Sequence, residues 1–189
     1  MVRCAFRLLA LGFAGLLLGC HGRPDPRQTN FEIKSGNVTA NYDNKTGHLK
    51  KLSMDLDKNG VIDTWTYMDG TRIDRIEMDK NEDGKIDRWE HYADGKLTSI
   101  GTSTRGDGVE DQWTYQTAQG LLDRVETDTD RDGKIDKWER YEASPEPGRP
   151  PVLRVVESEP DASGHPMLRL LYRPDGSFDR AEKLGAGRR

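Results

Sequence analysis

Three stretches of this chain place oxygen-bearing side chains at one fixed spacing around a glycine. In residues 128–139, Asp128, Asp130, Asp132, Gly133, Asp136 and Glu139 occupy positions 1, 3, 5, 6, 9 and 12. Residues 79–90 repeat the arrangement with Asp79, Asn81, Asp83, Gly84, Asp87 and Glu90. Residues 55–63 carry Asp55, Asp57, Asn59, Gly60 and Asp63, with Thr66 at position 12. Carboxylates crowded in this way repel one another unless a cation lies between them. Calcium takes about six to eight hard oxygen ligands at roughly 2.3–2.6 Å in a flexible geometry. Alternate residues of a tight loop can point inward together, and glycine at position 6 lets the chain turn sharply enough to close. The spacing therefore points to bound Ca2+, at two or three sites. The loops at 79–90 and 128–139 satisfy the D-x-[DN]-x-[DN]-G-x5-E calcium template in full.

A fourth stretch keeps the glycine, Gly108, but departs elsewhere. Ser103 and Arg105 replace the acids at positions 1 and 3, and Glu110 stands where the other loops have Ile62, Ile86 and Ile135. No metal is expected there. The Arg105 guanidinium is expected to supply the missing positive charge to Asp107 and Asp111.

Over these twelve residues the stretches resemble the EF-hand loop, without its flanking helices. They are also similar to the D-x-D-x-D-G-x-x-D calcium hairpins of integrin alpha-chain propeller blades and of thrombospondin type 3 repeats. That resemblance implies direct ligation by the position 9 aspartates Asp63, Asp87 and Asp136. Glu90 and Glu139 stand beside a tryptophan on an expected strand and complete the candidate ligand set.

The elements that position the loops are legible from their period. Gly60, Gly84, Gly108 and Gly133 are spaced 24, 24 and 25 residues apart, and five residues after each stands a tryptophan: Trp65, Trp89, Trp113 and Trp138. The runs around them are rich in Trp, Tyr, Thr, Ile and Val, and the first three reach a glycine turn at Gly70, Gly95 and Gly120. This is hairpin composition, and a helix would meet Asp-Gly within about two turns. Partial units at 38–55 and 161–182 flank the four, and a Pro-rich insertion at 142–151 forms a surface loop. The expected fold is mainly β: repeated antiparallel β-hairpins on a period of about 24 residues, forming a meandering sheet or β-solenoid over residues 30–182, with a flexible tail at 183–189. A propeller is not expected, because blades need about four strands and each period offers two. Each tryptophan is expected beside the next, in a ladder on one face, serving packing or a ligand-binding face.

The amino terminus reads differently. Arg3 and Arg7 precede an apolar run from Leu8 to Leu18, which ends in Leu17-Leu18-Gly19-Cys20. A short apolar run behind a basic start reads as an export signal. Its end resembles a bacterial lipobox, which implies cleavage after residue 19 and acylation of Cys20 with diacylglycerol and a further fatty acyl group such as palmitate. Residues 20–29 would then be the lipidated cysteine and a Pro-containing tether. Cys4 falls in the signal, so no internal disulfide is available. His21, rather than an acid, follows the cysteine and leans toward outer-membrane sorting.

The formal charge is −4, with dispersed basic residues, which excludes a nucleic-acid surface. The four histidines fall in unrelated places, with no catalytic triad and no zinc spacing, so no enzyme is expected. Two readings remain. One is a calcium-binding lipoprotein anchored in the outer membrane through Cys20, with a structural or interaction role toward an envelope protein. The other is a module that reads a glycan or peptide on the face of Trp65, Trp89, Trp113 and Trp138.

Overall fold

A computed structural model describes residues 30–185. The signal, Cys20 and the tether lie outside the described residues, as do residues 186–189.

The described chain is all β, with thirteen strands in one open antiparallel sheet whose spatial order equals the chain order. The strands are β1 (Asn30–Ser35), β2 (Val38–Asp43), β3 (Leu49–Met54), β4 (Thr64–Asp69), β5 (Arg72–Met78), β6 (Arg88–Ala93) and β7 (Lys96–Thr102). They continue as β8 (Gln112–Gln116), β9 (Leu122–Thr127), β10 (Lys137–Glu142), β11 (Val152–Pro160), β12 (Pro166–Tyr172) and β13 (Phe178–Lys183). Of the two architectures expected, the meander is the one formed. β1 lies outside the repeat read from the sequence and pairs with β2 through a turn at Gly36. The insertion loop spans 143–151, since Glu142 closes β10 opposite Val152. At the far end pairing continues through Lys183, and the Leu184 N–H donates to the Met167 carbonyl at 2.8 Å.

The register assigns residues to two faces, because directly opposed residues of an antiparallel pair share a face. One face carries a row running Ser53, Trp65, Glu77, Trp89, Gly101, Trp113, Glu126, Trp138, Glu157. The tryptophans share this face, but they do not lie beside one another. One strand, bearing Glu77, Gly101 or Glu126, separates each from the next, a spacing of about 9–10 Å. The physical reason is arithmetic: a period with one tryptophan and two strands places tryptophan on alternate strands. Strands β4, β6, β8 and β10 each carry a bulge two to three residues beyond the tryptophan, at Tyr67/Met68, His91/Tyr92, Tyr115/Gln116 and Arg140/Tyr141. Bulges steepen the local twist, so the sheet turns by the same device in every repeat.

The opposite face carries Ile76, Glu90, Ile100, Thr114, Val125, Glu139 and Val156 in one row. Ile100, Val125 and Val156 are the buried apolar side chains of the described chain. The buried polar residues are more numerous, and Asp55, Asp79, Ser103, Asp111 and Asp128 among them belong to the four loops. A single-layer sheet has no second layer to cover either face, so the most enclosed groups sit at its loop edge.

Candidate metal sites

All four glycine-centred loops emerge at the same end of the sheet, because each joins the close of one hairpin to the start of the next. Loop one (55–63) links β3 to β4, loop two (79–87) links β5 to β6, loop three (103–111) links β7 to β8, and loop four (128–136) links β9 to β10. Backbone hydrogen bonds tie successive loops edge to edge. The N–H of Asp79 donates to the Asp63 carbonyl (2.9 Å), that of Ser103 to Asp87 (3.0 Å) and that of Asp128 to Asp111 (2.9 Å).

Within each loop the chain folds around its own acids. The position 1 carboxylate accepts from the position 6 N–H: Gly60 on Asp55 at 2.9 Å, Gly84 on Asp79 at 2.8 Å, Gly133 on Asp128 at 2.9 Å. The position 9 carboxylate accepts from the position 2 N–H: Leu56 on Asp63 at 2.9 Å, Lys80 on Asp87 at 2.8 Å, Thr129 on Asp136 at 3.2 Å. Asp83 and Asp132, at position 5, each accept from the N–H two residues on at 2.9 Å. Position 6 has φ between 83° and 100° in the four loops, which only glycine adopts without strain.

The oxygens converge where the spacing predicts. Asp55, Asp57 and Asp63 each offer a carboxylate oxygen within 4.8 Å of the others, and so do Asp128, Asp130 and Asp136. Ligands of one calcium, each about 2.3–2.6 Å from the ion, lie at most about 5 Å apart, so both triads fit one cation. Loop two holds the Asn81 amide at position 3, so its equivalent set is Asp79, Asn81 and Asp87 on the same scaffold. A carboxylate has room for about four acceptor contacts, so the N–H bonds leave lone pairs free for an ion.

Glu90 and Glu139 are placed elsewhere. Glu90 lies on β6, where Arg88 donates to it at 2.8 Å and the Tyr92 hydroxyl at 2.8 Å. Burial pushes the Glu90 carboxyl upward, but these donors together hold it below the usual glutamate range. Burial, then the bond to Glu90, pushes Tyr92 up to about 12. Glu139 lies on β10 and pairs with Lys137 at 3.0 Å. The structure brings neither glutamate into its loop.

Loop three corrects the sequence expectation in its detail. The guanidinium facing its acids belongs to Arg131 of loop four. Arg131 pairs with Asp107, and its Nη2 lies 2.9 Å from Asp111 Oδ2. Arg105 instead points outward across the edge and donates to the Thr129 carbonyl at 2.5 Å. At 2% exposure Asp111 is the most buried of the loop acids. It also accepts from Thr104 N–H and Oγ1 at 2.8 and 2.9 Å.

Sequence reasoning missed a second compensation beside this loop. Gly101 interrupts the tryptophan row where Glu77 and Glu126 stand elsewhere, and Glu110 fills the space. A Cβ at residue 101 would lie 1.7 Å from Glu110 Oε1, and that oxygen is 2.7 Å from His91 Nε2. Glu110 thus restores from the loop the acid that β7 lacks. The signal is in the sequence: the glycine at residue 101 and the position 8 glutamate are two departures that the third repeat makes together. Gly101→Glu alone should destabilise by about 1–3 kcal/mol, the usual cost of overpacking. Adding Glu110→Ile, the residue type of the other loops, should recover most of that in thermal melts. Additive losses would contradict the exchange.

The EF hand family matches residues 126–139, which comprise loop four with the adjoining ends of β9 and β10. No curated protein matches the chain. Among solved structures, accessory secretory protein 1,2 and 3 in Streptococcus pneumoniae is similar at 15% identity and a TM-score of 0.44, over 53% of this chain and 19% of that one. A mutant of TarM from S. aureus, in complex with Fondaparinux, alpha-GlcNAc-glycerol and UDP, is similar at 12% identity and a TM-score of 0.44, over 54% of this chain and 20% of that one. The chain spans about a fifth of the length of either protein.

Proposed function

We propose that this protein is a calcium-stabilised lipoprotein of the cell envelope, anchored in the outer membrane through acylated Cys20, with a structural or interaction role and no catalytic activity. The observation that carries the calcium reading is the convergence of two carboxylate triads on one hydrogen-bonded loop scaffold. Asp55, Asp57, Asn59 and Asp63 would hold one ion, Asp128, Asp130, Asp132 and Asp136 another, and Asp79, Asn81, Asp83 and Asp87 a third. The ions would neutralise the loops and lock the hairpin joints of a sheet that has little apolar core. Equilibrium dialysis of the protein against calcium tests this directly. Two or three bound ions, released by chelator, are expected, and none would refute the reading.

The aromatic face supports a structural role over glycan or peptide recognition. Arg75 lies over the Tyr67 ring at 3.8 Å and Arg124 over Tyr115 at 3.6 Å, while Lys51 lies over Trp65 at 5.8 Å. Tyr67, Tyr115 and Trp65, capped in this way, offer less open surface for stacking on a sugar or peptide.

The anchor rests on the sequence around Cys20. Two or more acyl chains, at ~0.8 kcal/mol per buried methylene, hold a protein stably on a membrane. Cys20→Ala is expected to leave a precursor or soluble product that no longer partitions into detergent. A variant that still partitions at mature mass would remove the lipoprotein reading.

A further inference from the structure

We infer that the residue at position 4 of loops two and four, Glu82 and Arg131, sets the cation held by the loop before it. This rests on the calcium reading of loop one and extends it to a residue outside that loop. Position 4 is Lys58, Glu82, Gly106 and Arg131 in loops one to four, and all four have positive φ, at 65°, 57°, 64° and 68°. That shared backbone geometry accompanies a shared direction of reach at the two positions that face an acidic neighbour. Glu82 of loop two accepts from Asn59 Nδ2 of loop one at 2.6 Å. Arg131 of loop four meets Asp107 and Asp111 of loop three. Asn59 and Asp107 both stand at position 5 of their loops, so the same position reaches the same target one repeat away.

The two side chains do opposite things there. Arg131 brings a permanent positive charge into loop three, which has lost its acids at positions 1 and 3, and the guanidinium takes the place of a metal ion. Glu82 brings a carboxylate to loop one, whose position 5 is the neutral Asn59 and whose position 12 is Thr66. A pocket of about 250 Å³ between loops one and two is lined by the acids Asp57, Asp63, Asp79 and Glu82 and by one base, Lys80. Glu82 thus joins two members of the loop one triad around one space. With Glu82, four carboxylates face the single Lys80 ammonium, a balance that favours a divalent cation, whereas an arginine at residue 82 would exclude one. Gly106 has no side chain to offer, so loop two must rely on its own donors.

The test uses the full chain and calcium alone. Glu82→Gln is expected to weaken one site several-fold and leave the others unchanged in calorimetric titration. Glu82→Arg is expected to lower the number of bound ions by one and to raise the melting midpoint in chelator above wild type, because the guanidinium neutralises Asp57 and Asp63 as Arg131 does in loop three. Arginine is tolerated by the backbone at this position, as Arg131 itself occupies it with φ 68°. Wild-type stoichiometry and affinity in Glu82→Gln or Glu82→Arg would overturn the inference. If wild type binds no calcium, the reading of the loops fails by itself. The midpoint of Glu82→Arg in chelator then decides the inference alone, and an unchanged midpoint overturns it.

Discussion

In millimolar calcium the protein should melt about 8–16 °C higher than in chelator. The size follows from linkage and from the thinness of the core. A ligand that binds only the folded state stabilises it by RT ln(1 + [L]/Kd), about 1.4 kcal/mol for a Kd near ~10⁻⁴ M at 1 mM ligand. Three such sites give about 4 kcal/mol, and for a domain of this size each kcal/mol moves the midpoint by about 2–4 °C. Among the described residues Ile100, Val125 and Val156 are the buried apolar side chains, so the apolar term there is small beside the loop contribution. Without the ion, the triads of loops one and four hold their carboxylates within 4.8 Å of each other, and that repulsion disappears when calcium binds. Asp130→Ala is the cleanest probe of one site. Asp130 is exposed and its one intraloop bond is from the Asp132 N–H at 3.1 Å. It should remove about one third of the calcium shift while barely altering the midpoint in chelator. A midpoint indifferent to calcium and chelator would leave the loops as plain turns.

Much of this architecture was legible because its signals are local. Strand composition, the Asp-Gly turns and the position 6 glycines each act within a few residues, and they predicted the hairpins and a sheet that is a meander or a β-solenoid, with the acidic loops between hairpins. What escaped the sequence acts between repeats. Arg105 is two residues from Asp107 in sequence, yet Arg131, 24 residues from that acid, neutralises it. Position 4 leaves its own loop at positive φ, and loop-to-loop stacking brings it against the preceding one. Glu90 and Glu139 were read from a twelve-residue template whose last ligand normally lies on a helix. Here position 12 falls on a strand of alternating side chains, and both glutamates find basic partners on that strand. The tryptophan row lies on one face as expected but is opened by a strand, since two strands and one tryptophan per period can only put tryptophan on alternate strands.

Arg131→Met should lower the melting midpoint by about 6–12 °C, equally in calcium and in chelator. Asp111 retains 3% side-chain exposure and Arg131 21%, so the pair is largely withdrawn from water. Breaking such a pair by removing one partner costs about 3–5 kcal/mol, because the remaining charge stays buried without compensation. Arg131 keeps some contact with solvent, which places the expected loss near the lower bound, about 3 kcal/mol, and gives the stated shift at about 2–4 °C per kcal/mol. Calcium cannot substitute, because loop three offers only Asp107 and Asp111 as carboxylates among positions 1, 3, 5 and 9, with Arg105 at position 3. The second variant in the cycle is Asp111→Asn, which removes the charge but keeps an oxygen for the Thr104 N–H. Residues within one ion-pair network are expected to be non-additive. The double variant Arg131→Met with Asp111→Asn should therefore be more stable than the sum of the single losses predicts. Strict additivity would show that the guanidinium contributes packing and not charge. A loss that calcium repairs would show instead that loop three can take the ion, and that Arg131 merely competes with it.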